Sequence, residues 1–376
     1  MIKAEVFYEF NEELKSLWSD FESDANSLPF QSYEWQRYWN AEVGQPKYKM
    51  DICIVVCLVD DRVRAIFPFG IKRAMGARIL EFLGADEADY SAPLLGIRMD
   101  SEEFRNIWIE VLKIIPSYDV VYFKNIPKLI NQSDNFLLEN IFTKQANLSY
   151  STILPDSFEE YSLRLSKSML KDNKRMVRRL SELGELKFSV LVTSEDFNRV
   201  VEVMISQKES RYTLSGARNI FYDKAVKNFY SNIFTLLNRG FGVHLSALML
   251  DDEILATHLG IRYRDQFYYL MPTFNHDAKW RKFSLGRIHL EKLVGWSIDN
   301  GISKFDFTIG GESYKGIWCD SEMATYRHLK IRSFRGVIYY AYFLVLELIK
   351  SKPFLKKLAV KILSLRQKYQ IDKNHF

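Results

Sequence analysis

The sequence predicts an α/β protein built from two similar halves, each with helices packed on a mixed sheet, followed by a helical tail. Two observations predict this fold class. An apolar run, an Asp-Asp pair and a second apolar run occur twice, around Asp60 and around Asp251, and each unit is typical of a β-hairpin with a polar turn. The segments around both hairpins also repeat in the same order, which indicates an internal duplication.

The elements of each half follow in the order helix, helix, three strands, helix, strand. In the first half the predicted elements are residues 11–21, 33–39, 52–59, 63–71 and 78–83, a helix beginning after Asp100, and residues 120–124. In the second half they are residues 194–211, 219–238, 243–250, 254–261, 266–273, 284–300 and 304–309. Asp100 has the side chain of an N-cap, and Gly301 is typical of a helix C-terminus.

Composition narrows the class of protein. The 376 residues suit two domains, and the net charge of +5 is too small to name a partner. The three cysteines, Cys53, Cys57 and Cys319, show neither a disulfide framework nor metal-ligand spacing, which indicates a reducing compartment and no metal. The N-terminal residues lack a signal-peptide pattern and no apolar run is long enough for a bilayer, so we expect a cytoplasmic protein.

The predicted domain boundaries place residues 1–160 in the first half, residues 161–335 in the second and residues 336–376 in the tail. A basic helix connects the halves, with seven Lys/Arg and one Asp between Arg164 and Arg179. Within it Lys171, Lys174, Arg175 and Arg178 lie at helical spacing and form a cationic stripe. This stripe suits an anionic partner, or it is the solvated face of a connecting helix.

The tail interleaves apolar residues with lysines from Val337 to Tyr369. That pattern fits an interfacial helix on anionic lipid, which would make the protein peripheral to the inner face of the membrane. It equally fits a helix packed on the second half or on another subunit. No nucleic-acid readout motif accompanies the basic residues, which argues against DNA as a partner.

The clearest chemical signal lies where the third strand of the second half runs through a basic loop into a helix. Cationic side chains there precede a small-residue helix start. The residues concerned are Arg281, Ser284, Leu285, Gly286 and Arg287. Free backbone N–H groups and the helix dipole favour an anion such as a diphosphate, and a glycine allows close approach. A simple helix cap is the alternative interpretation.

A second group of polar residues lies at the carboxyl end of the strand 304–309, where open α/β sheets bind ligands. It comprises Asp306, Glu312, Tyr314, Lys315 and Trp318, with Gly310-Gly311 between the first two. Asp306 alternates with two phenylalanines and is either functional or a paired structural residue. Tyr314 and Trp318 are four residues apart, so one packing face of a short helix is the alternative for them.

The segment from about Leu165 to Lys330 resembles the GNAT acetyltransferases of the cellulose-biosynthesis (CelD/BcsL) type. The resemblance is carried by residues 171–180, by residues 255–261, by Phe283-Ser-Leu-Gly-Arg287, and by Phe305-Asp-Phe…Gly310…Glu312-Ser-Tyr-Lys315…Trp318. The first half is similar through Pro29-Phe-Gln-Ser32, Trp35, Gly84 and Asp89-Tyr90. Ser284-Leu285 departs from the family, which more often has Pro before the glycine. Fem-type aminoacyl-transferases share the doubled fold and a comparable Asp-Phe…Lys block.

The resemblance implies two tandem GNAT-like domains and direct attack of an amine on the thioester of acetyl-CoA or another acyl-CoA. The CoA diphosphate would lie at the Arg281–Arg287 loop and helix start. The pantetheine would extend along the strand from Leu270 through Met271 to Thr273. Backbone N–H groups near Leu270 and Met271, or Lys315, would stabilise the oxyanion.

Proton transfer requires an acid and a base. We expect Tyr314 to be the acid, and Asp306, Glu312 or His258 to be the base. His258 lies in a strand with alternating apolar neighbours, so a core histidine is the alternative. We expect Lys171, Arg175, Arg178 and Trp318 to contact the acceptor, and the first half to shape its cleft.

By resemblance, the acceptor would be an amino sugar in surface-polysaccharide biosynthesis. Two other functions remain open. One is a Fem-type transferase that uses aminoacyl-tRNA, and the other is a non-catalytic module that binds CoA as a scaffold.

Overall fold

The computed structural model describes residues 1–84 and 86–351 of the 376-residue chain. Helices and strands alternate along the described residues. The helices are α1 (Glu12–Asp24), α2 (Tyr33–Trp39), α3 (Ser101–Ile114), α4 (Leu137–Asn140), α5 (Phe158–Ser162), α6 (Lys167–Ser181), α7 (Ser194–Ser215), α8 (Lys224–Ser231), α9 (Phe234–Asn238), α10 (Leu285–Asp299), α11 (Lys315–Trp318) and α12 (Phe334–Ser351). The strands are β1 (Ile2–Phe7), β2 (Ala25–Asn26), β3 (Asp51–Val59), β4 (Arg62–Ala74), β5 (Ala77–Phe82), β6 (Leu94–Gly96), β7 (Val120–Pro127), β8 (Leu129–Ile130), β9 (Ser133–Asp134), β10 (Lys144–Ile153), β11 (Leu186–Val190), β12 (Val243–Leu250), β13 (Glu253–Tyr263), β14 (Gln266–Phe274), β15 (Lys304–Ile309) and β16 (Ser321–Ile331).

The predicted duplication is confirmed, and both copies lie in one sheet. Its main path runs β1-β3-β4-β5-β7-β16-β10-β15-β14-β13-β12-β11. The first copy is the hairpin β3–β4, then β5 and its parallel neighbour β7. The second is the hairpin β12–β13, then β14 and its parallel neighbour β15. The fold is therefore the expected mixed α/β arrangement of two similar halves.

The turn of each hairpin explains why the Asp-Asp pair recurs. Asp60 and Asp61 have φ values of 50° and 60°, and Asp251 has a φ of 49°. Aspartate tolerates this left-handed region better than bulky residues do, and turns with positive φ match the twist of the paired strands.

Each half lends its last strand to the other half. The first-half strand β10 pairs with β15, and the second-half strand β16 pairs with β7. The two exchanged strands also pair with each other. Neither exchanged strand was predicted from the sequence, and the predicted boundary at residue 160 separates β10 in sequence from the strands that it joins.

Two predicted helices differ from the structure. The pattern at 219–238 forms a short 3₁₀ turn and the two separate helices α8 and α9. Asp223 starts α8 by accepting hydrogen bonds from two backbone N–H groups in its first turn, which favours a new helix over continuation. The connecting basic segment predicted as one helix across 163–183 is helical only over α6, which begins after a turn that follows α5.

Helix α12 packs on the first half through Tyr339, which lies in a cluster with Ile79 and Val120. Much of its remaining surface is apolar and exposed, including Val337 and Val345. No helix among residues 1–84 and 86–351 has the length and apolar character needed to cross a bilayer. The prediction for the rest of the tail, residues 352–376, lies outside the described residues.

Candidate active site

A cleft with a volume of about 630 Å³ opens in the second half between α7, the start of α10 and the carboxyl ends of β14 and β15. One residue from the first half, Asp89, reaches its wall. The predicted site residues that line it are Leu270, Arg281, Ser284, Leu285, Gly286, Arg287, Glu312, Tyr314, Lys315 and Trp318. The two separate sequence signals therefore meet in one concave site.

The start of α10 presents backbone N–H groups to this cleft. Ser284 precedes the helix with a φ of 52°, and its side chain makes no capping hydrogen bond. Within the described residues, no hydrogen bond is made by the backbone N–H groups of Leu285 and Gly286. Gly286 lies against Phe274, where an added Cβ would be 3.2 Å from the ring. An uncapped helix start with a small residue is a suitable place for a diphosphate.

Strands β14 and β15 part as they reach the cleft. They pair only through three positions, the last being Tyr268 with Asp306. Beyond that point β15 continues to pair with β10, up to Ile309 opposite Ser149. The exchanged strand β10 therefore holds β15 to its own side, and an extended ligand arm fits between β14 and β15.

A β-bulge lies on β14 at the point of separation. Leu259 faces Met271 and Gly260 faces Tyr269, so Leu270 is the extra residue without a cross-strand partner on β13. A bulge leaves the backbone groups of the inserted residue unpaired and changes their direction. Leu270 lines both the cleft and an adjoining cavity of about 60 Å³, which makes its N–H group a candidate donor for an oxyanion.

The end of β15 is shaped by Asp306. Its carboxylate accepts hydrogen bonds of 2.8 Å from the Tyr90 hydroxyl and from the Thr308 backbone N–H. The second bond holds Thr308 in the left-handed region with a φ of 56°. Asp306 is buried and does not line the cleft, so the geometry assigns it to the backbone turn and to the contact between halves, in place of the predicted role as base.

The cleft contains two carboxylates, Asp89 and Glu312, whose surroundings shift their pKa values in opposite directions. Burial raises the pKa of Asp89 to about 6, against the opposing effects of a hydrogen bond from Thr308 and the charge of Lys315. Burial also acts to raise the pKa of Glu312, but Lys315, whose ammonium is 3.2 Å from its carboxylate, lowers it overall. A base that works near neutral pH needs a raised carboxyl pKa, which favours Asp89 over Glu312.

Tyr314 and Lys315 lie at the start of α11. The Lys315 side chain is buried and donates a 2.8 Å hydrogen bond to the Ile309 carbonyl oxygen. Burial raises the pKa of the Tyr314 hydroxyl, which keeps it protonated and able to act as an acid. Trp318, at the other end of α11, lines the cleft, and Tyr161 donates a 2.6 Å hydrogen bond to its carbonyl oxygen.

Several predicted site residues lie elsewhere. His258 is fully buried, stacks on Tyr269 with ring centroids 4.1 Å apart and does not line the cleft. Burial lowers its pKa well below the usual value, so it is a neutral core histidine rather than a base. Met271 lines only the smaller cavity. The Thr273 hydroxyl is buried in hydrogen bonds with Thr257 and Gln207.

The cationic stripe of α6 also lies outside the cleft wall. Lys171, Arg175 and Arg178 are exposed, and the last two form ion pairs on their own helix or next to it. Their binding to an acceptor stays a prediction. Arg287 does line the cleft, but its guanidinium binds Asp172 of α6 at 2.5 Å.

The polar residues of the cleft that sequence reasoning missed include Asp89, Lys208 and Arg211. Asp89 stands in the first-half segment that carries the family resemblance, and that was the available signal for it. Lys208 and Arg211 lie on α7, where nothing in the sequence distinguishes them from other surface cations of an amphipathic helix.

Comparisons with known proteins agree with this fold. Residues 167–316 match the family described as the acetyltransferase (GNAT) domain. A comparison with curated protein sequences gives no significant match. The second half therefore carries a GNAT acetyltransferase domain, and the chain is an acyltransferase.

Solved structures are similar over most of the chain at low sequence identity. FemX is 11% identical with a TM-score of 0.56, and the match covers 87% of this chain and 97% of FemX. L-PGS from Bacillus licheniformis is 11% identical with a TM-score of 0.52, covering 92% and 99%. A conserved protein of unknown function from Bacteroides thetaiotaomicron is 10% identical with a TM-score of 0.54, covering 88% and 100%. At these identities the likeness describes the fold.

Proposed function

We propose that this acyltransferase moves an acetyl or other acyl group from CoA to an amine. The observation that carries the proposal is the meeting of an uncapped helix start with parted strands in one cleft. The Arg281 side chain and the N–H groups at Leu285 and Gly286 would bind the diphosphate. The gap between β14 and β15 would hold the pantetheine arm, which delivers the thioester to Leu270.

The reaction requires one new bond and two proton transfers. The amine nitrogen attacks the thioester carbonyl carbon, and the Leu270 N–H stabilises the negative charge that develops on oxygen. Asp89 accepts the proton that the amine loses. The carbon–sulfur bond breaks, and Tyr314 donates a proton to the leaving thiolate. Lys315 holds the turn at Ile309 and neutralises Glu312 beside the reacting groups.

The direction from which the acceptor enters follows from Asp89. This residue and Leu270 line both the cleft and the smaller cavity. The first half supplies Asp89, so it would form the acceptor side. The resemblance to the cellulose-biosynthesis type supports an amino sugar as the acceptor, and peripheral contact with anionic lipid through α12 and the tail would place the enzyme at the inner face of the membrane.

Binding measurements test the donor. Acetyl-CoA at a hundredfold excess over its Kd should stabilise the protein by about 2.7 kcal/mol, seen as a rise in the melting temperature. A panel of amino sugars then tests turnover by release of free thiol. Stabilisation by alanyl-tRNA or seryl-tRNA but not by acetyl-CoA would favour the Fem-type alternative. CoA binding without turnover on any amine would favour a scaffold.

A further inference from the structure

Two cations on α7 face the cleft without a carboxylate partner. Lys208 and Arg211 are three residues apart, so they lie on one face of the helix, and both line the cleft half-buried. Neither forms an ion pair with any residue in the described ranges. By contrast, Arg287 binds Asp172, and Lys315 binds Glu312.

The position of α7 is fixed by buried polar contacts rather than by these cations. The Gln207 side chain donates a 3.1 Å hydrogen bond to the Ile254 carbonyl oxygen and accepts a 2.7 Å bond from the Thr273 hydroxyl. These bonds attach α7 to β13 and β14 at the wall of the cleft. These bonds therefore also fix the position of Lys208 and Arg211 at the cleft.

Burying two like charges that form no direct ion pair is unfavourable. Burial, together with the charge of Arg211, lowers the pKa of Lys208 to about 8. A protein tolerates such a pair at a site where an anion binds, since the anion relieves both the desolvation and the mutual repulsion.

The pair lies near the reacting groups, and Arg211 also lies near His276 in the loop before α10. The charges of Asp89 and Glu312 act on Lys208, and that of Arg211 acts on Glu312 and on Tyr314. Saturating the helix start with CoA tests whether an anion there is a different group from the diphosphate.

We infer that Lys208 and Arg211 form a second anion subsite, which binds a phosphate or carboxylate carried by the acceptor amine or by the transferred acyl group. The inference rests on the proposed function for the identity of the two reactants. It narrows the substrate class to an amine or an acyl group that bears a negative charge close to the bond being formed.

The test uses inorganic phosphate on the full chain saturated with CoA, so that the helix start is already occupied. At constant ionic strength, phosphate should raise the melting temperature of the wild type further in a saturable manner. The variant Lys208→Gln with Arg211→Gln should lose at least tenfold in phosphate affinity and keep its CoA affinity within twofold. Arg218→Gln with Lys224→Gln removes the same charge from the exposed surface and should behave as wild type.

Two further experiments identify which reactant carries the negative charge. A preference for succinyl-CoA over acetyl-CoA that disappears in the Lys208/Arg211 variant assigns the charge to the acyl group. Competition between glucosamine 6-phosphate and inorganic phosphate, without competition by glucosamine, assigns it to the acceptor. Phosphate binding that is absent in the wild type, or retained in that variant, overturns the inference.

Loss of CoA affinity in the Lys208/Arg211 variant would also overturn the inference, because the cations would then serve the nucleotide. If the wild type fails to bind CoA, the proposed function falls. The phosphate titration without CoA, in the wild type and the variant, still decides whether the subsite exists.

Discussion

Asp89 and Glu312 show how surroundings divide roles between two carboxylates of one cleft. Burial raises the pKa of Asp89 to about 6, whereas Lys315 holds that of Glu312 below its usual value. A carboxylate with the lower pKa stays ionised and accepts protons poorly. Asp89 is ionised at neutral pH and still basic enough to take a proton from an amine.

The variant Asp89→Asn tests this assignment. We expect the wild-type kcat/KM to rise with pH through about 6, since the base must be deprotonated, and the variant to lose about 100-fold in kcat. The variant should not show that rise, and its acetyl-CoA affinity should be unchanged. Asp61→Asn, in an exposed hairpin turn of the first half, is the control. An unaltered pH profile in Asp89→Asn would refute the role.

At the level of elements, the Asp306 side chain sets the turn at the end of β15. Asp306 accepts from the Tyr90 hydroxyl and the Thr308 N–H, and the left-handed Thr308 turns the chain toward Glu312 and Lys315. The catalytic geometry thus depends on an aspartate that does not touch the cleft.

Two substitutions at Asp306 separate support from catalysis. Asp306→Ala leaves two buried donors without an acceptor and should lower the free energy of unfolding by about 2–4 kcal/mol, measured by urea denaturation. Asp306→Asn keeps the acceptor oxygen and should retain kcat within a few-fold. An Asp306→Asn protein of normal stability but negligible kcat would show that Asp306 is the base after all.

The same element shows what sequence patterns can and cannot predict. The alternation Phe305-Asp306-Phe307 correctly predicts that the aspartate points away from the phenylalanines, but both faces of this strand are buried, so alternation does not say which face meets a ligand. The alternation around His258 was ambiguous for the same reason, because both faces of its strand are buried. The loop-to-helix signal at Ser284–Gly286 was more informative because it depends only on local backbone chemistry.

For the whole molecule, the exchange of β10 and β16 joins the halves into one sheet. Strand β10 has little apolar alternation, and its pairing with β15 and β16 depends on contacts distant in sequence, so local periodicity could not reveal it. Asp89 reaches the second-half cleft only because of this joining. A site residue contributed by the other half is not accessible to reasoning from one half at a time.

Among the described residues four histidines are buried, and three of them make the fold strongly sensitive to acid. Burial lowers the pKa values of His244 and His289 to about 3 and that of His258 well below its usual value. The unfolded chain binds these protons near pH 6.5, so their contribution is fully present above that pH and is lost as pH falls toward 3.

One histidine should account for about 2 kcal/mol of lost stability between pH 7 and pH 5. His244→Phe, which keeps an aromatic ring among Phe267 and Trp296, should reduce the pH dependence of the free energy of unfolding by about that amount. Urea denaturation at both pH values measures it. An equal pH dependence in both proteins would show that His244 is already protonated in the folded state.

The central claim is that the bare start of α10 binds the diphosphate of CoA, and calorimetric titration of CoA into wild type, Gly286→Ala and Gly286→Asp tests it most directly. Aspartate in the first turn suits the helix but repels a diphosphate, so Gly286→Asp should keep its melting temperature and lose at least tenfold in CoA affinity. Gly286→Ala, which adds only a methyl group, should lose much less. Equal CoA affinity in wild type and a folded Gly286→Asp protein would contradict the account.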